Sequence, residues 1–90
     1  MEYFFSGHVF KRMTERGLSP AVIRSIVETG TIIQEYPNDK PYPSRLILGF
    51  CENRPIHVVA AYDADEDKEY IITAYEPDTK LWSEGFTKRR

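Results

Sequence analysis

The sequence predicts an α+β domain in which two N-terminal helices pack on a four-stranded, mainly antiparallel sheet. Three observations carry that expectation. Apolar residues recur at helical spacing as far as Gly30. From Thr31 onward they come in short β-rich runs separated by turn formers. Those runs follow one another closely enough to pair as successive hairpins, and helices followed by hairpins form a layered arrangement.

Each element has its own local signal. Ser6 is a suitable N-cap for a helix over residues 7–16 carrying Val9, Phe10 and Met13, and Gly17 can end it in a left-handed conformation. Ser19 and Pro20 pair a capping hydroxyl with a proline at the first helical position, opening a second helix over residues 20–29. Its stripe of Val22, Ile23, Ile26 and Val27 reads as core. Strands are expected over residues 31–36, 45–52, 55–62 and 69–75. The proline-rich segment Pro37–Ser44 reads as a loop, Asn53-Arg54 as a tight turn and Asp63–Asp67 as a longer acidic one. After Tyr75, residues 77–90 are expected to fold back as a cover, with Leu81, Trp82 and Phe86 lying on the sheet.

Ninety residues without a repeat or a low-complexity linker suit a single domain, residues 1–90, with a small core. No apolar run approaches a bilayer span, and Met1–Phe5 lacks the basic start of a signal peptide, so a cytoplasmic protein without membrane attachment is expected. The single cysteine, Cys51, excludes an intramolecular disulfide and reads as core packing. A net charge of -2 argues against a broad cationic footprint for long nucleic acid, although Lys88-Arg89-Arg90 closes the chain as a basic tail. There is no glycine-rich phosphate loop, no paired-cysteine zinc spacing and no nucleophile elbow. His8, His57 and Cys51 are not spaced as a metal site, so neither metal nor cofactor is expected.

Candidate chemistry lies in two places. At about 100° per residue, His8, Arg12 and Glu15 fall within roughly 60° of one another on the first helix, with Arg16 about 40° beyond Arg12. Glu15 is in position to pair with Arg12 or Lys11. Centring the acidic turn near Glu66 sets His57 opposite Tyr75, and centring the other turn on Asn53-Arg54 sets Phe50 opposite the same histidine. One sheet face then reads Leu46, Leu48, Phe50, His57, Val59, Ala61, Ile71, Thr73, Tyr75, an assignment that a one-residue slip would invert. A histidine, arginines and a tyrosine suffice for metal-independent cleavage of RNA. A base takes the proton of the ribose 2′-hydroxyl, Arg12 and Arg16 hold the phosphate, and an acid protonates the leaving 5′-oxygen. Tyr36, Tyr42 or Phe50 could stack on a base.

Four ordered stretches carry a resemblance: His8–Ser19 (HVFKRMTERGLS), Pro37–Arg45 (PNDKPYPSR), Arg54–Val59 (RPIHVV) and Tyr70–Pro77 (YIITAYEP). Together they resemble the bacterial and archaeal family known as domain of unknown function 4258, which looks like a relative of the RelE and MqsR type toxins. That resemblance implies a RelE-like curved antiparallel sheet, RNA as substrate and a cognate antitoxin as protein partner. It also implies a toxin-like endoribonuclease leaving a 2′,3′-cyclic phosphate, or alternatively a non-catalytic domain of the same fold that binds a protein or RNA partner. The stretches include His8, His57 and Tyr75, expected as catalytic groups, and Arg12, Arg16, Arg45 and Lys40, expected on the substrate. A composite site is therefore expected, with the helix face and the end of the hairpin meeting in one sheet-lined cleft.

Overall fold

The computed structural model describes residues 1–83 and 85–89. Its elements are β1 (Glu2–Phe5), α1 (Gly7–Glu15), α2 (Pro20–Thr29), β2 (Thr31–Tyr36), β3 (Ser44–Cys51), β4 (Arg54–Asp63) and β5 (Lys68–Tyr75). Two helices pack on a five-stranded mixed sheet of order β1-β5-β4-β3-β2, antiparallel except where β1 runs parallel to β5. The extra strand corrects the expected count of four. Its four residues alternate in burial, Tyr3 and Phe5 half-buried against the core and Glu2 and Phe4 outward. So short a run carries little periodic signal, and its partner lies near the other end of the chain. No helix is long and apolar enough to cross a membrane among the described residues.

Both helices begin and end as their caps dictate. The Ser6 Oγ accepts from the Val9 N–H and the Ser19 Oγ from the Val22 N–H, each at 3.2 Å. Helix α1 ends in a Schellman arrangement, with Gly17 at φ +71° donating to the Thr14 carbonyl and Leu18 donating to that of Met13. Met13 and Leu18 then enter the same core. That core lies between the helices and one sheet face, joining Ile23 and Ile26 to Ile47, Ile56, Val58, Ala60, Ile71 and Ala74. Helix α2 comes so close to β3 that a Cβ on Gly49 would sit 2.6 Å from the Ile26 side chain. Phe10, expected on the apolar face of α1, is instead exposed.

Register fixes what the two sheet faces carry. His57 stands opposite Tyr75, as the acidic-turn alignment predicts. The β3–β4 turn, however, is Glu52-Asn53, both at positive φ, as a two-residue hairpin that follows the strand twist requires. Leu48 therefore faces His57, and Phe50 faces Pro55. The register moves by two positions, so Phe50 keeps its parity but is displaced to the hairpin end. A bulge between Val59 and Ala60 sets Ile71 opposite Ala60. This moves Ile71 from the His57 face to the helix-side core, where it is buried.

The face away from the helices is covered by the C-terminal segment. Trp82 is buried, its ring edge-on to His57 at 4.4 Å between centroids, and the Phe86 carbonyl reaches the same histidine. Trp82 also bridges to Arg89, and the Ser83 N–H donates to the Lys88 carbonyl. Leu81, expected in this cover, stays exposed. Glu84 and Arg90, within the expected cover and basic tail, lie outside the described residues.

Candidate functional site

His57 and Tyr75 meet across β4 and β5, with His57 Nδ1 and the Tyr75 hydroxyl 3.2 Å apart. The hydrogen-bond directions follow from chemistry. A carbonyl can only accept, so Nε2 carries the proton and donates to Phe86 O at 2.8 Å. Nδ1 is then the acceptor for the Tyr75 O–H. His57 has no exposed surface. Burial pushes its pKa below the ordinary histidine range, only partly opposed by the Phe86 carbonyl, and so favours the neutral ring. Burial and, more weakly, Tyr36 push the Tyr75 pKa up, with Arg89 acting the other way. Tyr75 is therefore a neutral phenol at ordinary pH.

Tyr75 also lines an open groove of about 740 Å³ on the face away from the helices. Leu46 and Val59 contribute its apolar lining, and Gln34, Tyr36, Thr87, Lys88 and Arg89 supply polar and cationic groups. No acidic residue lines this groove among the described residues. A second recess, of about 420 Å³, has the opposite character, being lined by Glu35 and Glu69 as well as Arg45.

The helix face lies elsewhere. His8, Arg12 and Arg16 line a small recess of about 160 Å³ with Val9, Ile72, Thr73 and Ala74. Strand β1 pairs β5 only as far as Ile71, which leaves the edge of β5 beyond it without a neighbouring strand. Arg16 closes part of that edge, its Nη1 donating to the Ala74 carbonyl at 2.7 Å. Arg54 Nη2 in turn donates to the Arg16 carbonyl, and Arg54 Nε pairs with Glu76 at 3.0 Å. The pairing open to Glu15 is not made. The ion pairs among the described residues are those of the N-terminal amine with Asp67, Arg45 with Glu69 and Arg54 with Glu76.

The expected composite site is therefore divided. His57 and Tyr75 come together, and His8, Arg12 and Arg16 come together, but the groove beside Tyr75 and the recess lined by His8, Arg12 and Arg16 share no residue among those described. Strand alternation is the cause. His57 lies between Ile56 and Val58, which point into the helix-side core, so its own side chain leaves on the other face. Arg45 makes a bidentate pair with the buried carboxylate of Glu69, at 3.1 and 2.7 Å, and lines neither group's recess. Lys40 is exposed in the loop before Pro41 and also lines neither. Of the three aromatic residues considered for stacking, Tyr36 lines the groove, Tyr42 stacks on Tyr70 at 5.4 Å, and Phe50 stands exposed at the hairpin end.

Sequence reasoning missed Gln34, Thr87, Lys88 and Arg89. For Gln34 a signal existed, because its register opposite Leu46 sets it two positions from Tyr36 on the same face. For the other three there was none, since tertiary contacts of Trp82 and Phe86 place the tail. Among the described residues no three His, Cys, Asp or Glu side chains gather as a metal site. No curated protein and no solved structure matches the chain. The family model described as "Domain of unknown function (DUF4258)" matches residues 5–76, most of the chain, and the protein belongs to that family.

Proposed function

We propose that this domain is a toxin-like, metal-independent endoribonuclease that receives RNA in the groove beside Tyr75. One observation carries the reading: a groove lined by two cationic residues has at its wall a tyrosine whose proton points at a neutral histidine. Lys88 and Arg89 hold the scissile phosphate, and Tyr36 stacks on a base. Tyr75 meets the ribose. Its oxygen takes the 2′-hydroxyl proton as its own proton passes to His57 Nδ1, while the Nε2–H bond to Phe86 O supports the imidazolium that forms. The O2′–P bond forms and the P–O5′ bond breaks. The 5′-oxygen takes a proton from solvent, leaving a 2′,3′-cyclic phosphate. His57 cannot touch RNA and acts through Tyr75. A cytoplasmic setting, a RelE-like architecture and a cognate antitoxin as partner belong to the same reading.

A second reading rests on the complete burial of His57 with both ring nitrogens partnered, an arrangement that also serves as a clamp for the C-terminal cover. The groove would then bind RNA or protein without cutting. Incubating the protein with mixed RNA in a chelator separates the two. Cleavage ending in 2′,3′-cyclic phosphate, reduced about a hundredfold or more by Tyr75→Phe, is expected of general acid–base catalysis. RNA that is bound but intact, or cleavage indifferent to Tyr75→Phe, overturns the catalytic reading.

A further inference from the structure

We infer that the recess between α1 and the free edge of β5 is a second binding site, separate from the groove, and that its ligand is a phosphate group. The argument starts from how the described arginines are engaged. Arg16 donates to the Ala74 carbonyl, Arg45 is paired with Glu69, and Arg54 with Glu76 and the Arg16 carbonyl. Arg24 lies over the Tyr3 ring at 5.0 Å and Arg89 over Trp82 at 5.8 Å. Arg12 alone among them has no side-chain hydrogen bond, ion pair or ring contact, and the side chain of His8, one helical turn before it, has none either. Both line the recess, and no acidic residue does among the described residues.

The recess is also organised. Arg16 is fixed at both ends, by its guanidinium to Ala74 and through its carbonyl to Arg54, so one wall is rigid before any ligand arrives. Ile72, Thr73 and Ala74 complete the lining along the strand edge. A guanidinium free to form two parallel bonds and an imidazole on the same helix face suit the tetrahedral oxygens of a phosphate. At about 160 Å³ the space fits such a group better than a nucleoside. The phosphate can be free or part of an RNA backbone, and the two sources share this chemistry.

The test is an NMR titration of the whole chain with inorganic phosphate, 5′-AMP and a short oligouridylate, with chloride at matched ionic strength as control. Signals of His8, Arg12 and Thr73 are expected to move with at least one phosphate probe. Arg12→Ala, at an exposed position, is expected to keep the fold and weaken that response roughly tenfold or more, as loss of a charged hydrogen bond does. A response to inorganic phosphate assigns a free phosphate, and one confined to the oligonucleotide assigns the backbone. Arg89→Ala, which changes the groove, is expected to leave the recess titration unchanged, so either site can fail without the other. Chloride producing the same shifts, no shifts at these residues, or a response that survives Arg12→Ala or vanishes in Arg89→Ala overturns the inference.

Discussion

The two faces of the sheet are closed in different ways. On the helix side, two capped helices cover an aliphatic layer from Met13 to Ala74, and the pair of Arg45 with the buried Glu69 is bidentate. On the other side, a short irregular segment reaches the sheet through contacts that include the edge of Trp82 on His57 and the bond from His57 to the Phe86 carbonyl. The first closure rests on packed apolar area and the second on a few directional contacts. The difference is also one of space: the thinly covered face keeps an open groove of about 740 Å³, against about 160 Å³ for the recess between α1 and the edge of β5.

If that contrast is right, the largest stability losses come from the helix side. Ile23→Ala, at a fully buried position, should cost about 2–5 kcal/mol through lost transfer energy and a residual cavity. Urea denaturation followed by circular dichroism measures it, and a loss below about 1 kcal/mol, the scale of an easily repacked site, would break the comparison. Arg45→Ala comes next. It strands the Glu69 carboxylate, whose side chain is 4% exposed, while Arg45 itself is 20% exposed. A loss of about 2–3 kcal/mol is expected, below the range for a fully buried pair. Arg45→Ala combined with Glu69→Gln should recover part of it. Unchanged stability would instead free Arg45 for the substrate-binding role that the family resemblance implies.

How much of this was legible in the sequence differs between the faces for the same reason. The helices were readable because Ser6, Gly17, Ser19 and Pro20 are local signals, and the stripe of Ile23 and Ile26 follows one period. The His57 and Tyr75 pairing was readable only in part: the turn pairs Asp63 with Lys68, one position off a turn centred at Glu66, and the bulge at Val59 and Ala60 restores the expected partner. Strand β1 was not, being four residues long and paired across the length of the chain. Nor was the bulge at Val59 and Ala60, which moves Ile71 to the core. Nor was the turn at Glu52, where a non-glycine residue takes positive φ without announcing it. Lys88 and Arg89 looked like an unattached basic tail. Their place at the groove depends on Trp82 reaching His57, a contact that no local pattern encodes.

The smallest expected effect bears on the thin cover alone and uses His57 as its reporter. Because burial lowers the pKa of the folded ring, a detached or unfolded ring takes its proton first, near pH 6.5, as the pH falls. The cover is therefore at full stability above about pH 6.5. It loses stability as the pH drops toward the lowered value of the folded ring, and the loss levels off below that value, where both states carry the proton. Trp82, the single tryptophan, reads this locally, since it sits against His57. Its emission should shift to the red in mild acid while far-ultraviolet circular dichroism, dominated by α1, α2 and the sheet, stays constant. His57→Leu should remove the acid-dependent shift, because it leaves no ring to protonate. If emission and circular dichroism move together, the two faces unfold as one unit, and the separation drawn between a packed side and a tethered side fails.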